Sequence, residues 1–278
     1  MQEMYGIKYF KPKVVLLQDT GIGVSETAAR TCYDSFSSSE NEAIKHIEKS
    51  MPDDEKCCEI NEIEESSLLD DLAWTYFHHS ILEHANLSFL VRGTSRAVLQ
   101  EHARHRIQAI SVRSTRYTMS SIINAFVASR HGGTKEFFIE KVLEFDMFVT
   151  ADEEYNRIEI GAMYDKLSYQ ASKVEDFNSL AVAKSSLGFI DEFATDAQKL
   201  FDALQNGKKK RNVGDAFKHI ISDNVKVDMV VTFNLRSLKN YYTLRDSGAA
   251  FFQIRWLARE MMRVTPAKYL DLIVKNRG

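Results

Sequence analysis

At 278 residues, with 44% hydrophobic and 27% charged side chains, the chain can bury a core as one large domain or two small ones. A formal net charge of -3 and an isoelectric point near 6.3 argue against a whole-molecule field that draws DNA or RNA, so any bound anion should be small and locally gripped. No run approaches the roughly 18 consecutive apolar residues of a membrane span, residues 1–13 lack a secretory apolar core, and Cys32, Cys57 and Cys58 show no zinc or redox spacing, so the chain is read as cytoplasmic.

In chain order, Val14–Leu17 reads as a short strand. Asn86–Arg92 reads as a stronger one, because Leu87, Phe89 and Val91 alternate onto one face. Gly93-Thr94-Ser95 then opens a predicted helix, capped by Thr94 or Ser95, that carries Val98 and Leu99 inward and delivers Arg104, His105 and Arg106. The hydroxyl and β-branched residues of Ser111–Tyr117 favour extended backbone, which would put Ser114 and Arg116 on one side. Helical spacing fits Phe138, Val142, Phe145 and Val149, and helices are predicted through 155–206, with Lys208–Arg211 a solvated loop. Val227–Asn234 alternates cleanly and reads as a strand, followed by a helix that Ser237 could cap. Proline occurs only at 12, 52 and 266, so 53–265 lacks the strongest helix breaker and the fold should be helix-rich.

Between Arg92 and Arg116 lie six arginines, no lysine and one acid, Glu101. Arginine keeps its charge, and its planar fork matches phosphate and carboxylate, so the cluster points to small anionic ligands; a solvated helix face is the plainer reading. Ser114 beside Arg116 can hold a phosphate. Glu101 can form helical ion pairs with Arg104 and His105. Histidines 78, 79, 84, 102 and 105 crowd into 28 residues, but their spacing fits no standard zinc pattern and the neighbouring arginines oppose a cation, so no metal is expected. Asn234, Arg236, Asn240 and Arg245 leave a strand toward a helix, where their donors suit a ribose or diphosphate.

Three ordered blocks resemble the flavin-dependent thymidylate synthases: His78-His79-Ser80-Ile81-Leu82-Glu83-His84; Ser95-Arg96-Ala97 through Arg104-His105-Arg106 to Ser114-x-Arg116-Tyr117; and Asn234-Leu235-Arg236-Ser237-Leu238-x-Asn240 to Leu244-Arg245. The resemblance implies an α+β fold, an antiparallel sheet flanked by helices. It implies one catalytic domain over 1–278, with helical insertions roughly at 36–75 and 133–215. The implied assembly is a homotetramer with shared active sites.

The activity so implied is reductive methylation of dUMP to dTMP, with methylenetetrahydrofolate as one-carbon donor, FAD as cofactor and NADPH as reductant. Carried over by position, His78, Ser80, Glu83, Arg104, His105, Arg106, Asn234, Arg236 and Asn240 would hold FAD. Glu101, Arg104, Ser114, Thr115, Arg116, Lys218 and Arg245 would hold the nucleotide, with Arg245 polarising the uracil as the catalytic residue. Ser114 and Cys32 are not read as nucleophiles.

The chain departs from the family pattern at Glu101, where glutamine is usual, and at Lys218, where an arginine is usual. It also departs at Ala250–Ile254 and in lacking Pro-Phe after His79. These positions bear on which pyrimidine nucleotide is taken, UMP or a cytosine nucleotide being the alternatives. Rivals of another class are an arginine-rich nucleic-acid-binding protein and a histidine-based metal hydrolase; no nucleic acid or membrane partner is expected.

Overall fold

The computed structural model describes residues 1–48, 59–130, 133–185 and 218–274; Cys57, Cys58, the 186–206 helices and the Lys208–Arg211 loop lie outside them. The described strands are β1 (Gln2–Met4), β2 (Ile7–Tyr9), β3 (Lys13–Asp19), β4 (Asn86–Ser95), β5 (Ala109–Val112) and β6 (Lys226–Asn234). The described α-helices are α1 (Gly23–Tyr33), α2 (Glu42–Lys45), α3 (Ser67–Trp74), α4 (Arg96–His102), α5 (Thr115–Arg130), α6 (Lys135–Leu143), α7 (Glu153–Ser185), α8 (Leu235–Arg245), α9 (Phe252–Val264) and α10 (Ala267–Ile273). Two compact units result, one of Lys11–Val112 with Val227–Gly278, the other of Met1–Phe10 with Arg113–Lys226.

The first unit is built on a four-stranded sheet in the order β3-β4-β6-β5. β3 pairs antiparallel with β4, and β5 antiparallel with β6. Across the centre, the Ser88 and Thr232 hydroxyls meet at 2.8 Å and the Gly93 amide donates to Asp228 Oδ1 at 2.9 Å, so β4 and β6 also run in opposite senses. The period-2 pattern works as alternation requires: Leu87, Phe89, Val91, Met229, Val231 and Phe233 are buried on one face, while Val15, Leu17 and Val230 are exposed on the other. Helix α9 packs on β3 and β4, and α8 and α10 join the same core.

β4 runs three residues past the predicted end, through Gly93, whose φ of 73° lets the chain bend before Ser95. Gly21 is needed for a different reason. Its φ is 75°, and a Cβ there would lie 2.4 Å from the Asn61 carbonyl oxygen. Its amide donates to the Tyr269 hydroxyl at 2.8 Å, which itself donates to Asp19 at 2.5 Å, tying the end of β3 to α10.

In the second unit, α5, α6 and α7 enclose a separate core in which Phe126 meets both Phe138 and Tyr164 edge to face. The β1–β2 hairpin turns on Tyr5 and Gly6, both with positive φ, the two-residue geometry whose twist suits the strands.

Two sequence readings are corrected here. Thr115 begins α5, so Ser111–Tyr117 is extended only to Val112. The reason is tertiary: Ile122 and Phe126, one turn apart, are fully buried, and that burial outweighs the weak β preference of Ser114 and Thr115. Helix α6 ends at Leu143, leaving Phe145 exposed and the Val149 amide donating to the Asn224 carbonyl at 2.9 Å.

Candidate active site

The site begins with two helix ends. Ser95 caps α4 by accepting the Val98 amide at 3.2 Å. The helix then stops at His102, two residues before the predicted arginines, which sit in the turn that follows. Gln108 closes that turn, its amide nitrogen donating to the carbonyls of His102 at 3.1 Å and His105 at 2.8 Å. At the other end, α8 is capped by Asn234, whose Oδ1 accepts the Ser237 amide at 2.8 Å, so Asn234 and not Ser237 is the cap. Asn234→Ala is therefore expected to cost about 1 kcal/mol of stability, read from the urea midpoint; an unchanged midpoint would remove that role.

These two ends meet around a cavity of about 660 Å³ lined by Arg104, His105, Arg106, Ile107, Ser237, Asn240, Leu244, Arg245, Ser247, Ala249 and Ala250. Every lining residue belongs to the first unit. Glu101 stands behind this wall. Arg245, the last residue of α8, donates from Nη1 to Glu101 Oε2 at 2.8 Å and from Nη2 to the Glu101 carbonyl at 2.9 Å. Its Nε donates to His105 Nε2 at 2.9 Å. Arg104 Nη1 lies 3.6 Å from the second carboxylate oxygen of Glu101, so the cluster's one acid is shared by two guanidinium groups. The predicted Glu101–Arg104 pair is present, while His105 meets Arg245 instead.

Burial, then the charges of Arg245 and Arg104, draw the His105 imidazole down to about 4, so it is neutral at pH 7. His102 is fully buried against Phe233 and Tyr241, with Nδ1 3.1 Å from the Tyr241 hydroxyl and Nε2 without a hydrogen-bond partner among the described residues. Burial foremost lowers it to about 4 as well.

That shift has a stability consequence. With a folded value near 4 and an unfolded one near 6.5, the unfolded chain binds the extra proton as pH falls from 6.5 to 4, and stability falls with it by at most about 1.4 kcal/mol per unit. Between pH 7 and 5 the parent is therefore expected to lose about 1–2 kcal/mol more than His102→Gln in urea unfolding; parallel losses would refute the assignment.

A second cavity, of about 360 Å³, gathers His78, Ser80 and Arg236 with Cys32 and Tyr33. Glu83 pairs with Arg236 at its side. Nearby, Lys239 lies 3.7 Å from the centre of the Trp74 ring and 3.2 Å from His79 Nε2, and burial lowers its pKa.

The remaining candidates belong to the second unit. Ser114 precedes α5, Thr115 is buried at its start, Arg116 follows in the first turn, and Lys218 opens a 3-10 turn, Lys218–Ile220. Sequence reasoning missed Gln108 and the paired roles of His102 and Tyr241. The only available signal was the one-turn spacing of Tyr241 and Arg245, and nothing local marks Gln108 as the residue that closes a helix end.

The family model described as thymidylate synthase complementing protein matches residues 15–268. The flavin-dependent thymidylate synthase of Wolinella succinogenes is 27% identical over 264 residues, covering 95% of this chain and 98% of its own. That of Campylobacter jejuni is 27% identical over 262 residues, covering 92% and 93%. Among solved structures, thymidylate synthase X from Helicobacter pylori with FAD and dUMP aligns with a TM-score of 0.56 at 23% identity, over 95% of this chain and 97% of that one, a likeness of fold. With a match over nearly its whole length, the chain belongs to the thymidylate synthase complementing protein family, that of the flavin-dependent thymidylate synthases.

Proposed function

We propose that this chain converts dUMP to dTMP by reductive methylation, with FAD as cofactor, methylenetetrahydrofolate as one-carbon donor and NADPH as reductant. The observation that carries the reading is the convergence of Arg104, His105 and Arg106 with Asn240 and Arg245 on one cavity, from segments about 140 residues apart. The relatives named flavin-dependent thymidylate synthase, and the Helicobacter pylori structure with FAD and dUMP, support it.

The donor set of the wall fits the flavin nucleotide. The side chains of Arg106 and Asn240 make no hydrogen bond among the described residues, Ser237 adds a hydroxyl, and the nearby acids are already paired, Glu101 with Arg104 and Arg245 and Asp246 with Arg259. Such a surplus of donors suits a diphosphate and the polar edge of a ring system. FAD is accordingly assigned to Arg104, His105, Arg106 and Asn240, with His78, Ser80, Glu83 and Arg236 at the second cavity, and Asn234 acting as the cap that holds α8 in place. When bound, it supplies the hydride that completes the methyl group.

Arg245 is assigned to the uracil, with Glu101 beside it. A fixed cation there favours the N3-deprotonated base and makes C5 the nucleophile. Ser114, Thr115, Arg116 and Lys218 are proposed as contacts of the nucleotide's phosphate and sugar in an assembled homotetramer. Among the described residues no helix is long and apolar enough to cross a membrane. A cytoplasmic enzyme whose partners are small molecules, with the whole chain serving one catalytic domain, completes the proposal.

The purified chain is expected to be yellow or to take up FAD, absorbing in the blue. Its reduced flavin should be oxidised when dUMP and methylenetetrahydrofolate are added together. A colourless chain that cannot take up FAD would sink the reading, and oxidation with UMP or a cytosine nucleotide but not dUMP would move the substrate.

A further inference from the structure

Arg245 offers five N–H bonds and Arg has no acceptor. Three are committed: Nη1 to the Glu101 carboxylate at 2.8 Å, Nη2 to the Glu101 carbonyl at 2.9 Å, and Nε to His105 Nε2 at 2.9 Å. Since the guanidinium can only donate, His105 Nε2 must present a lone pair. The ring is therefore uncharged and carries its one proton on Nδ1. Nδ1 itself has no hydrogen-bond partner among the described residues, and His105 lines the 660 Å³ cavity.

We propose that Glu101 is a positioning residue that, acting through Arg245, holds His105 as the Nδ1–H tautomer, so that the cavity is offered a neutral imidazole N–H donor beside a guanidinium whose charge is partly offset. The inference deepens the proposed function, naming how that site meets its ligand. It does not need the ligand to be FAD.

The surroundings of His105 support the relay. The Glu101 carboxylate takes Nη1 and the Glu101 carbonyl takes Nη2, so both arms of the guanidinium fork are held and Nε is aimed at His105. The Tyr241 and imidazole rings pack edge to face at 4.8 Å between centroids, and Gln108 ties down the His105 carbonyl at 2.8 Å, which restrains the ring and its backbone. The charged groups that face the ring are Arg245, Arg104 and Glu101, and the two cations oppose a second proton on it. His105 is thereby unsuited to be a general acid at neutral pH. An uncharged N–H donor in a cationic wall suits a carbonyl oxygen or ring nitrogen of a flavin or a pyrimidine, which a further cation would meet less selectively.

The test uses the full-length chain without ligand, labelled with 15N in its histidines, with the His105 signals identified by their loss in His105→Asn. The parent should show a pyrrole-type Nδ1 and a pyridine-type Nε2. Glu101→Gln keeps an acceptor for Nη1 and the backbone carbonyl, and should retain that pattern. Glu101→Ala should convert His105 to a mixture in which Nε2–H is at least half. Arg245→Leu removes the Nε donor and should release the tautomer equally, which keeps the test decisive if Glu101→Ala does not fold. A parent showing Nε2–H, or an Nδ1–H pattern unchanged in Arg245→Leu or in folded Glu101→Ala, overturns the proposal. Titrating the same sample with FAD separates the two readings, because failure to bind FAD with the tautomer as stated counts against the proposed function alone.

Discussion

Arg245→Ala is expected to leave FAD bound while slowing dUMP-dependent oxidation of the reduced flavin by ~100-fold or more, as loss of a single preorganised electrostatic stabiliser does. The structure adds a cost to this change. Removing the guanidinium frees Glu101 from its closest partner and leaves a carboxylate beside the cavity with only Arg104, 3.6 Å away, to offset it. An acid so weakly offset beside the uracil opposes the N3-deprotonated base, so KM for dUMP should rise along with the fall in kcat. Rapid mixing of the reduced enzyme with dUMP and methylenetetrahydrofolate measures the first effect, and the dependence on dUMP concentration the second. Parent-like turnover in this variant would take Arg245 out of the mechanism.

The second large effect is on stability. Phe233 is fully buried near the end of β6, with its ring 5.7 Å from His102 and 5.3 Å from Tyr241, so the sheet supports the wall of the site through it. Phe233→Ala removes an aromatic ring from a packed core and should cost about 3–5 kcal/mol of unfolding free energy. Phe233→Leu, which keeps most of the volume, should cost distinctly less. Urea unfolding of both variants checks this, and a loss below about 1 kcal/mol for the alanine would mean that the core refills the space. His102 and Tyr241 rest on the same ring, so FAD affinity should fall in Phe233→Ala even under conditions where the chain stays folded.

Much of the fold is legible in the sequence because strands with one buried face write their geometry into a period of two. Alternation alone assigns Leu87, Phe89 and Val91, and again Val227, Met229, Val231 and Phe233, to one side, and they are buried there. The cap at Ser95 is legible for the same local reason, a hydroxyl poised at the start of a helical pattern. The misjudged segments are those where local preference is weak. Around Thr115 the hydroxyl and β-branched residues lean toward extended chain, yet the burial of Ile122 and Phe126 further along makes a helix. At Asn234 and Ser237 both residues are good caps, and only the place where β6 ends selects the first.

For the site, the sequence by itself determined the chemical inventory: an arginine-rich segment with one acid, a histidine within it, and a distant Asn and Arg pair matching the same family. It could not say how the charges would be matched. Glu101, read as a departure from the usual glutamine and as a helical partner of Arg104, also meets an arginine from 144 residues away, and that arginine in turn sets the proton of His105. Tertiary structure decided this because an ion pair between two helix ends depends on where both helices stop, which Gln108 and Asn234 settle through hydrogen bonds that no local periodicity records.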